Sequence, residues 1–214
     1  MVKNAFSFCI YYIKNTHTNQ ITNQLSWSLL DLNIRSISIK FDSFKHLLDS
    51  LNKPFQVISL TETWLNDINK EDFKLNEYNY INSNRSDKND GGVGIYVTKQ
   101  IQYKICKDLN PKVGDTIETI FIEIKTTVGK NIVVGVIYRP PSGKIEIFEN
   151  AMNEMLAKIN KENKICYLMG DFNIDLLKSE SCDHMQIDSL NSFLHLRIFH
   201  SLQNQHELHN IQLH

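Results

Sequence analysis

The 214 residues are enough for one globular domain, and 42% hydrophobic with 22% charged residues is the composition of a soluble fold with a real core, which excludes bulk disorder. Twenty-three basic against twenty-four acidic residues leave a formal charge of -1, so no global positive field draws nucleic acid in; any such binding must use a local basic face and weaken with salt. The four cysteines (Cys9, Cys106, Cys166, Cys182) are widely spaced and form no Cys-x-x-Cys pair, which argues against zinc or redox chemistry and for a reduced intracellular setting.

The apolar stretch 5–13 follows Lys3 and superficially resembles a signal-peptide core, but it lacks a small-x-small cleavage site and runs into Lys14 and Asn15. It is far shorter than the about twenty apolar residues of a membrane span. Residues 1–25 are therefore expected to form a poorly ordered leader, with no membrane partner. The run 27–34, with Leu29, Leu30, Leu32 and Ile34, suits a buried strand. Ser38 opens an amphipathic helix carrying Phe41, Phe44, Leu47, Leu48 and Leu51, which Pro54 marks as ended. Residues 55–60 read as a second buried strand, completing a βαβ-like unit.

The middle changes character: 92–97, 101–106, 117–125 and 132–138 are short β-rich runs separated by turn signals, several alternating as half-buried antiparallel strands do. After Pro140 and Pro141 come a helix on Ile145, Phe148, Met152, Met155, Leu156 and Ile159, a strand over 164–169, and a last helical pattern over 186–196. No internal repeat or low-complexity tract is present. The mixture predicts an α+β sandwich of two β-built sheets with helices outside.

Acids and amides fall where the strands end. Asn33 closes the first strand, Glu62 follows the second, and Asp171 and Asn173 follow the strand at Met169. Strand ends on one side can converge, and a carboxylate such as Glu62 suits Mg2+, a hard ion that keeps waters for a phosphate to displace. Asp171 could orient and activate an attacking water, while Asn33, Asn173 and Tyr138 offer hydrogen bonds without repelling a phosphate. Each has a plainer competitor: Asp171 as a turn residue of Gly170-Asp171-Phe172-Asn173, Glu62 as a solvated loop charge, and Asn33 as a helix cap. Gly91-Gly92-Val93-Gly94 lacks both the Walker lysine and the dinucleotide spacing, and reads as a turn entering a strand.

In order along the chain stand Leu32-Asn33-Ile34-Arg35-Ser36, Leu60-Thr61-Glu62-Thr63-Trp64-Leu65, Gly91-Gly92-Val93-Gly94-Ile95-Tyr96-Val97, Val136-Ile137-Tyr138-Arg139-Pro140-Pro141 and Gly170-Asp171-Phe172-Asn173. Together they resemble the apurinic-type endonuclease domain that precedes the reverse transcriptase in non-LTR (LINE-like) retrotransposons, within the endonuclease/exonuclease/phosphatase superfamily that includes pancreatic deoxyribonuclease. The resemblance covers roughly residues 26–194. It implies a four-layered α/β sandwich and cleavage of one strand of double-stranded DNA with Mg2+ or Mn2+, in the nucleus, leaving a 3′ hydroxyl that primes reverse transcription. By that likeness Glu62 is the metal ligand, Asn33, Tyr138, Asp171 and Asn173 line the scissile phosphate, and Arg85 and Arg139 contact DNA.

The likeness is incomplete. The family's domain ends in a Ser-Asp-His, and no such tripeptide occurs here; Asp183-His184 comes too soon after Asp171 and reads as a surface pair. Residues 195–214 look foreign to the domain, and their histidines (His200, His206, His209, His214) lack acids or cysteines at ligand spacing. Back-translated from Leu202 to His209 and read from the last base of the Leu202 codon, the tail can spell Thr-Lys-Pro-Thr-Arg-Ile-Thr, a segment such elements carry. The expectation is a domain cut short by a frameshift near 194–199, with an unpaired sheet edge and weak or lost activity. Two other readings stand beside it: a non-catalytic remnant that binds DNA or protein, and a phosphatase of a small phosphorylated substrate.

Overall fold

The structure, a computed structural model, describes residues 27–65, 70–83, 90–111, 116–126 and 130–173, together with the backbone of 7–13. Its strands are β1 (Ser7–Ile13), β2 (Trp27–Asn33), β3 (Val57–Thr61), β4 (Tyr78–Ser83), β5 (Val93–Thr98), β6 (Tyr103–Ile105), β7 (Glu118–Ile124), β8 (Ile132–Tyr138) and β9 (Ile165–Asp171). The two long helices are α1 (Ile37–Leu51) and α2 (Ile145–Lys161). One sheet runs β1-β2-β3-β5-β4 and the other β6-β7-β8-β9.

Side-chain alternation sorts these elements into four layers. On β2, Leu30 and Leu32 turn toward α1 and pack with Phe44, Leu47, Ile58, Leu60 and Tyr96, whereas Leu29 faces the second sheet with Val57, Ile95, Ile122, Val134 and Val136. On β8, Val133 and Ile137 turn the other way, toward Phe148, Met152 and Met155 of α2. The order is helix, sheet, sheet, helix, the sandwich expected from the motifs.

Each sheet contains one parallel pair joined through a helix: β2 to β3 through α1, and β8 to β9 through α2. Both pairs therefore send their carboxyl ends to the same kind of edge, the place where open α/β sheets present ligand-binding groups. The inward faces grade from apolar to polar toward that edge, through Leu29, Asp31 and Asn33 on β2 and Val57, Ser59 and Thr61 on β3, with Asp31 opposite Ser59 and Asn33 opposite Thr61.

Two strands differ from the sequence expectation. Ser7–Ile13, placed in a poorly ordered leader, is strand β1, antiparallel to β2 with Ser7 opposite Asn33 and Ile13 opposite Trp27. Its apolar composition fits pairing on a sheet edge as well as it fits a signal core. Strand β4 was not foreseen, because Asn79, Asn82 and Ser83 interrupt any alternation; it is half-buried throughout and pairs with β5. Among the described residues no helix is long and apolar enough to cross a membrane. The expected helix over 186–196, the Asp183-His184 pair and the foreign tail lie outside the described residues.

Candidate functional site

Asn33 ends β2, and its side chain joins the two sheets. Its Nδ2 donates to Glu62 Oε1 at 2.8 Å and to Asp171 Oδ2 at 2.9 Å. Two carboxylate acceptors on one nitrogen fix the orientation of the amide, since the reverse assignment would set an oxygen against two oxygens. The other end, Asn33 Oδ1, is then buried with no hydrogen-bond partner. An orphaned buried acceptor costs about 1–3 kcal/mol and marks a place built for something else.

Glu62 stands in a strained loop after β3. Its φ is 55° and that of Trp64 is 52°, left-handed values that cost a non-glycine residue about 1–2 kcal/mol each. Backbone hydrogen bonds hold the loop on both sides. Ser36 N donates to Glu62 O at 2.9 Å and Ile37 N to Thr63 O at 3.0 Å; Thr63 N donates to Gly92 O at 3.2 Å and Trp64 N to Gly91 O at 2.8 Å. The Gly91-Gly92 turn, whose φ angles are 81° and 84°, enters β5 as expected and is fastened to the second sheet by Gly92 N donating to Glu118 Oε2 at 2.5 Å. Its function is to brace the Glu62 loop.

Asp171 ends β9. Its Oδ1 accepts from Asn173 N at 3.0 Å, so both of its oxygens are oriented, one by each neighbouring asparagine. Asn173 has a φ of 49°, and its Nδ2 donates to Arg139 O at 2.8 Å. Gly170 comes just before, with a φ of 128°; a Cβ there would lie 1.9 Å from Ile137 O. Only glycine lets β9 deliver Asp171 at this height.

Arg139 corrects a sequence expectation. The family resemblance makes it a DNA contact, yet it is only 6% exposed and its guanidinium is consumed inside the protein. Nε donates to Phe172 O at 2.7 Å, Nη1 to Gly143 O at 2.6 Å, and Nη2 to Asn173 O, while Phe148 of α2 lies under the group at 5.9 Å from Cζ. Burial lowers its pKa and the Asp171 charge opposes that shift. It is a strut for the 171–173 loop. Tyr138, opposite Asp171 in the parallel register, is 6% exposed and belongs to the core between the sheets. Arg85 lies outside the described residues.

One group escaped the sequence reading. Asp31, two residues before Asn33 on the same inward face, accepts from Ser59 Oγ and from Gly170 N at 3.2 Å. Burial raises its pKa from 3.8 to about 6, the Ser59 and Gly170 hydrogen bonds opposing and the Asp171 charge adding to the rise. The signal was present as an acid within a buried apolar run. Among the described residues no cluster of three or more His, Cys, Asp or Glu is arranged to hold a metal.

Residues 32–207 match the model of the Endonuclease/Exonuclease/phosphatase family, and the chain belongs to that family. No curated protein matches it in sequence. Among solved structures, the 3′-5′ exonuclease NExo from Neisseria meningitidis is similar at 16% identity and a TM-score of 0.50, over 77% of this chain and 69% of that one. That likeness shows the fold. A truncated TDP2 from Caenorhabditis elegans is similar at 15% identity and TM-score 0.47, and an AP endonuclease from Archaeoglobus fulgidus at 19% and 0.44. These cover 66% and 74% of this chain, which itself spans 57% and 61% of theirs, less than two thirds of each.

Proposed function

We propose that the chain is a divalent-metal-dependent endonuclease domain that hydrolyses a DNA phosphodiester at the Asn33–Glu62–Asp171 centre. The observation that carries this reading is the Asn33 amide: it ties two carboxylates from different sheets and leaves Oδ1 buried without a partner. A site holding two acids and an unused amide oxygen at the ends of parallel strands suits a hard cation and a phosphate.

The residues fit such an ion. Glu62 would be the oxygen ligand, held by the Asn33 amide, whose buried Oδ1 stays an unused acceptor beside it. When bound, the ion polarises the phosphoryl oxygen and offsets charge on the leaving oxygen. Asp171, held by Asn33 and by the backbone of Asn173, orients a water and accepts its proton as the water oxygen bonds to phosphorus. The P–O3′ bond breaks, the electron pair leaves with O3′, and a proton from solvent completes the hydroxyl. Asn33 and Asn173 fix Asp171 without adding negative charge beside the phosphate. The order of motifs, above all Thr61-Glu62-Thr63-Trp64 and Tyr138-Arg139-Pro140-Pro141, supports double-stranded DNA as substrate and retrotransposition, with the 3′ hydroxyl priming reverse transcription, as the setting. The same motifs speak against a small-molecule phosphatase.

The test is nicking of supercoiled plasmid in Mg2+ by this chain and by Asp171→Ala. Weak relaxation by the parent chain, as expected of a domain without the family's terminal Ser-Asp-His, that EDTA and Asp171→Ala both abolish is the predicted result. Equal nicking by parent and variant, or none by either, defeats the proposal, and the second result leaves a non-catalytic remnant.

A further inference from the structure

We propose that Trp64 is the stacking platform for an unpaired nucleobase of the DNA strand cleaved at Glu62, a role that rests on the nuclease reading above. Trp64 is a large aromatic residue 40% exposed, between Thr63 and Leu65, which are 0% and 4% exposed. Leaving so much of an indole in water forgoes apolar burial. The backbone is strained as well: Glu62 and Trp64 both adopt left-handed φ, and four backbone hydrogen bonds, two donated by Ser36 and Ile37 and two accepted by Gly91 and Gly92, keep them there. Among the described residues no ring stacks on Trp64. A loop selected for stability alone would carry glycine at φ 52° and a polar side chain on its exposed face. This one instead accepts strain to present a flat apolar surface two residues from the carboxylate that would hold the ion.

The surroundings select the ligand. Arg35 is exposed beside Ser36, the residue whose N–H holds Glu62. Lys40, on the first turn of α1, is close enough to Arg35 and Glu62 for both charges to move its pKa, although burial lowers it most. Basic groups gathered about Glu62, with an exposed aromatic plane two residues on, are the pattern of single-strand nucleic-acid grooves, where bases stack on rings and phosphates lie along basic groups. Base faces inside a duplex are covered by their neighbours, so the indole can stack only on a base that is extruded, mismatched or next to a break. Substrates with an unpaired base beside the cleaved phosphate are therefore preferred over continuous duplex.

The test measures binding of the full chain in EDTA, where no cleavage occurs, to three fluorescent DNA hairpins. One carries a single unpaired thymine, one an abasic residue at that place, and one is fully paired. The parent chain is expected to hold the thymine hairpin about 5- to 100-fold more tightly than the abasic one, with quenching of tryptophan emission. Trp64→Phe should keep most of that ratio. Trp64→Gly, whose residue suits the left-handed backbone, should bring the ratio to one and keep salt-dependent binding. Equal or tighter binding of the abasic hairpin by the parent chain, or an unchanged ratio in Trp64→Gly, overturns the stacking role while leaving the nuclease reading in place. Absence of salt-dependent binding to all three hairpins overturns both.

Discussion

The two acids of the site are delivered by loops of opposite construction. The Glu62 loop is held by main chain against main chain, through Ser36, Ile37, Gly91 and Gly92. The Asp171 loop is held by side chains: Arg139 binds the carbonyls of Phe172 and Asn173, the Asp171 carboxylate accepts from the Asn173 N–H, and the Asn173 side chain donates to the Arg139 carbonyl. The first loop should therefore tolerate substitution at its exposed positions. The second depends on single residues, so its failures should be large and local.

The largest effect is expected at Gly170. A methyl group there would meet Ile137 O at 1.9 Å on a backbone with φ 128°, so Gly170→Ala should cost about 5 kcal/mol or more and leave little folded protein in a thermal melt. Arg139→Ala follows, at about 4 kcal/mol, because it leaves three carbonyls of the 139–173 region without their donor. Hydrogen exchange should show the loss concentrated in 171–173, and Arg139→Lys should recover less than half of it, since an ammonium cannot span three divergent carbonyls. Uniform loss of protection across both sheets would contradict the strut role.

Asp31 sits below both loops, and its effect depends on pH. Its folded pKa of about 6 lies above 3.8, so the folded state holds the proton longer than the unfolded one. Its contribution is complete below pH 3.8 and declines as pH rises to about 6, by at most about 3 kcal/mol. Asp31→Asn, which cannot ionise, should melt higher than the parent chain at pH 7 and show no such decline. The smallest effect belongs to Glu123, far from the site. Burial raises its pKa, but Lys104, Lys164 and Asn131 outweigh this and hold it at about 2, below the usual 4.5. The stability it contributes is present above pH 4.5 and is lost as pH falls through about 2. Lys164→Ala should lower stability by about 1 kcal/mol at pH 7, and the gap to the parent chain should close toward pH 2 in a melting series.

The sequence made one half of this comparison more legible than the other. Asn33, Glu62 and Asp171 each follow a mostly apolar run, so a strand end and a polar residue could be read together. Their convergence on one amide could not, because it depends on how two sheets face each other. Arg139 follows a strand too, and in sequence it looked like a surface cation; only its three carbonyl partners, two of them more than thirty residues away, show that it points inward. Asp31 was overlooked because one acid among Leu29, Leu30 and Leu32 does not disturb a buried-strand pattern. Strand β1 was misjudged because an apolar run that pairs at a sheet edge has the composition of a leader. Strand β4 has no alternation to read and is held by its pairing with β5.

The central claim is that the two loops form one reaction centre through Asn33. A double-mutant cycle of plasmid nicking tests it most directly, with Glu62→Gln, Asp171→Asn and the pair, all in Mg2+. Each single variant is expected to lose about 100-fold or more, and the double variant to lose no more than the worse single one, as groups acting as a unit do. Losses that multiply in the double variant, or Asp171→Asn nicking at the parent rate, would contradict it.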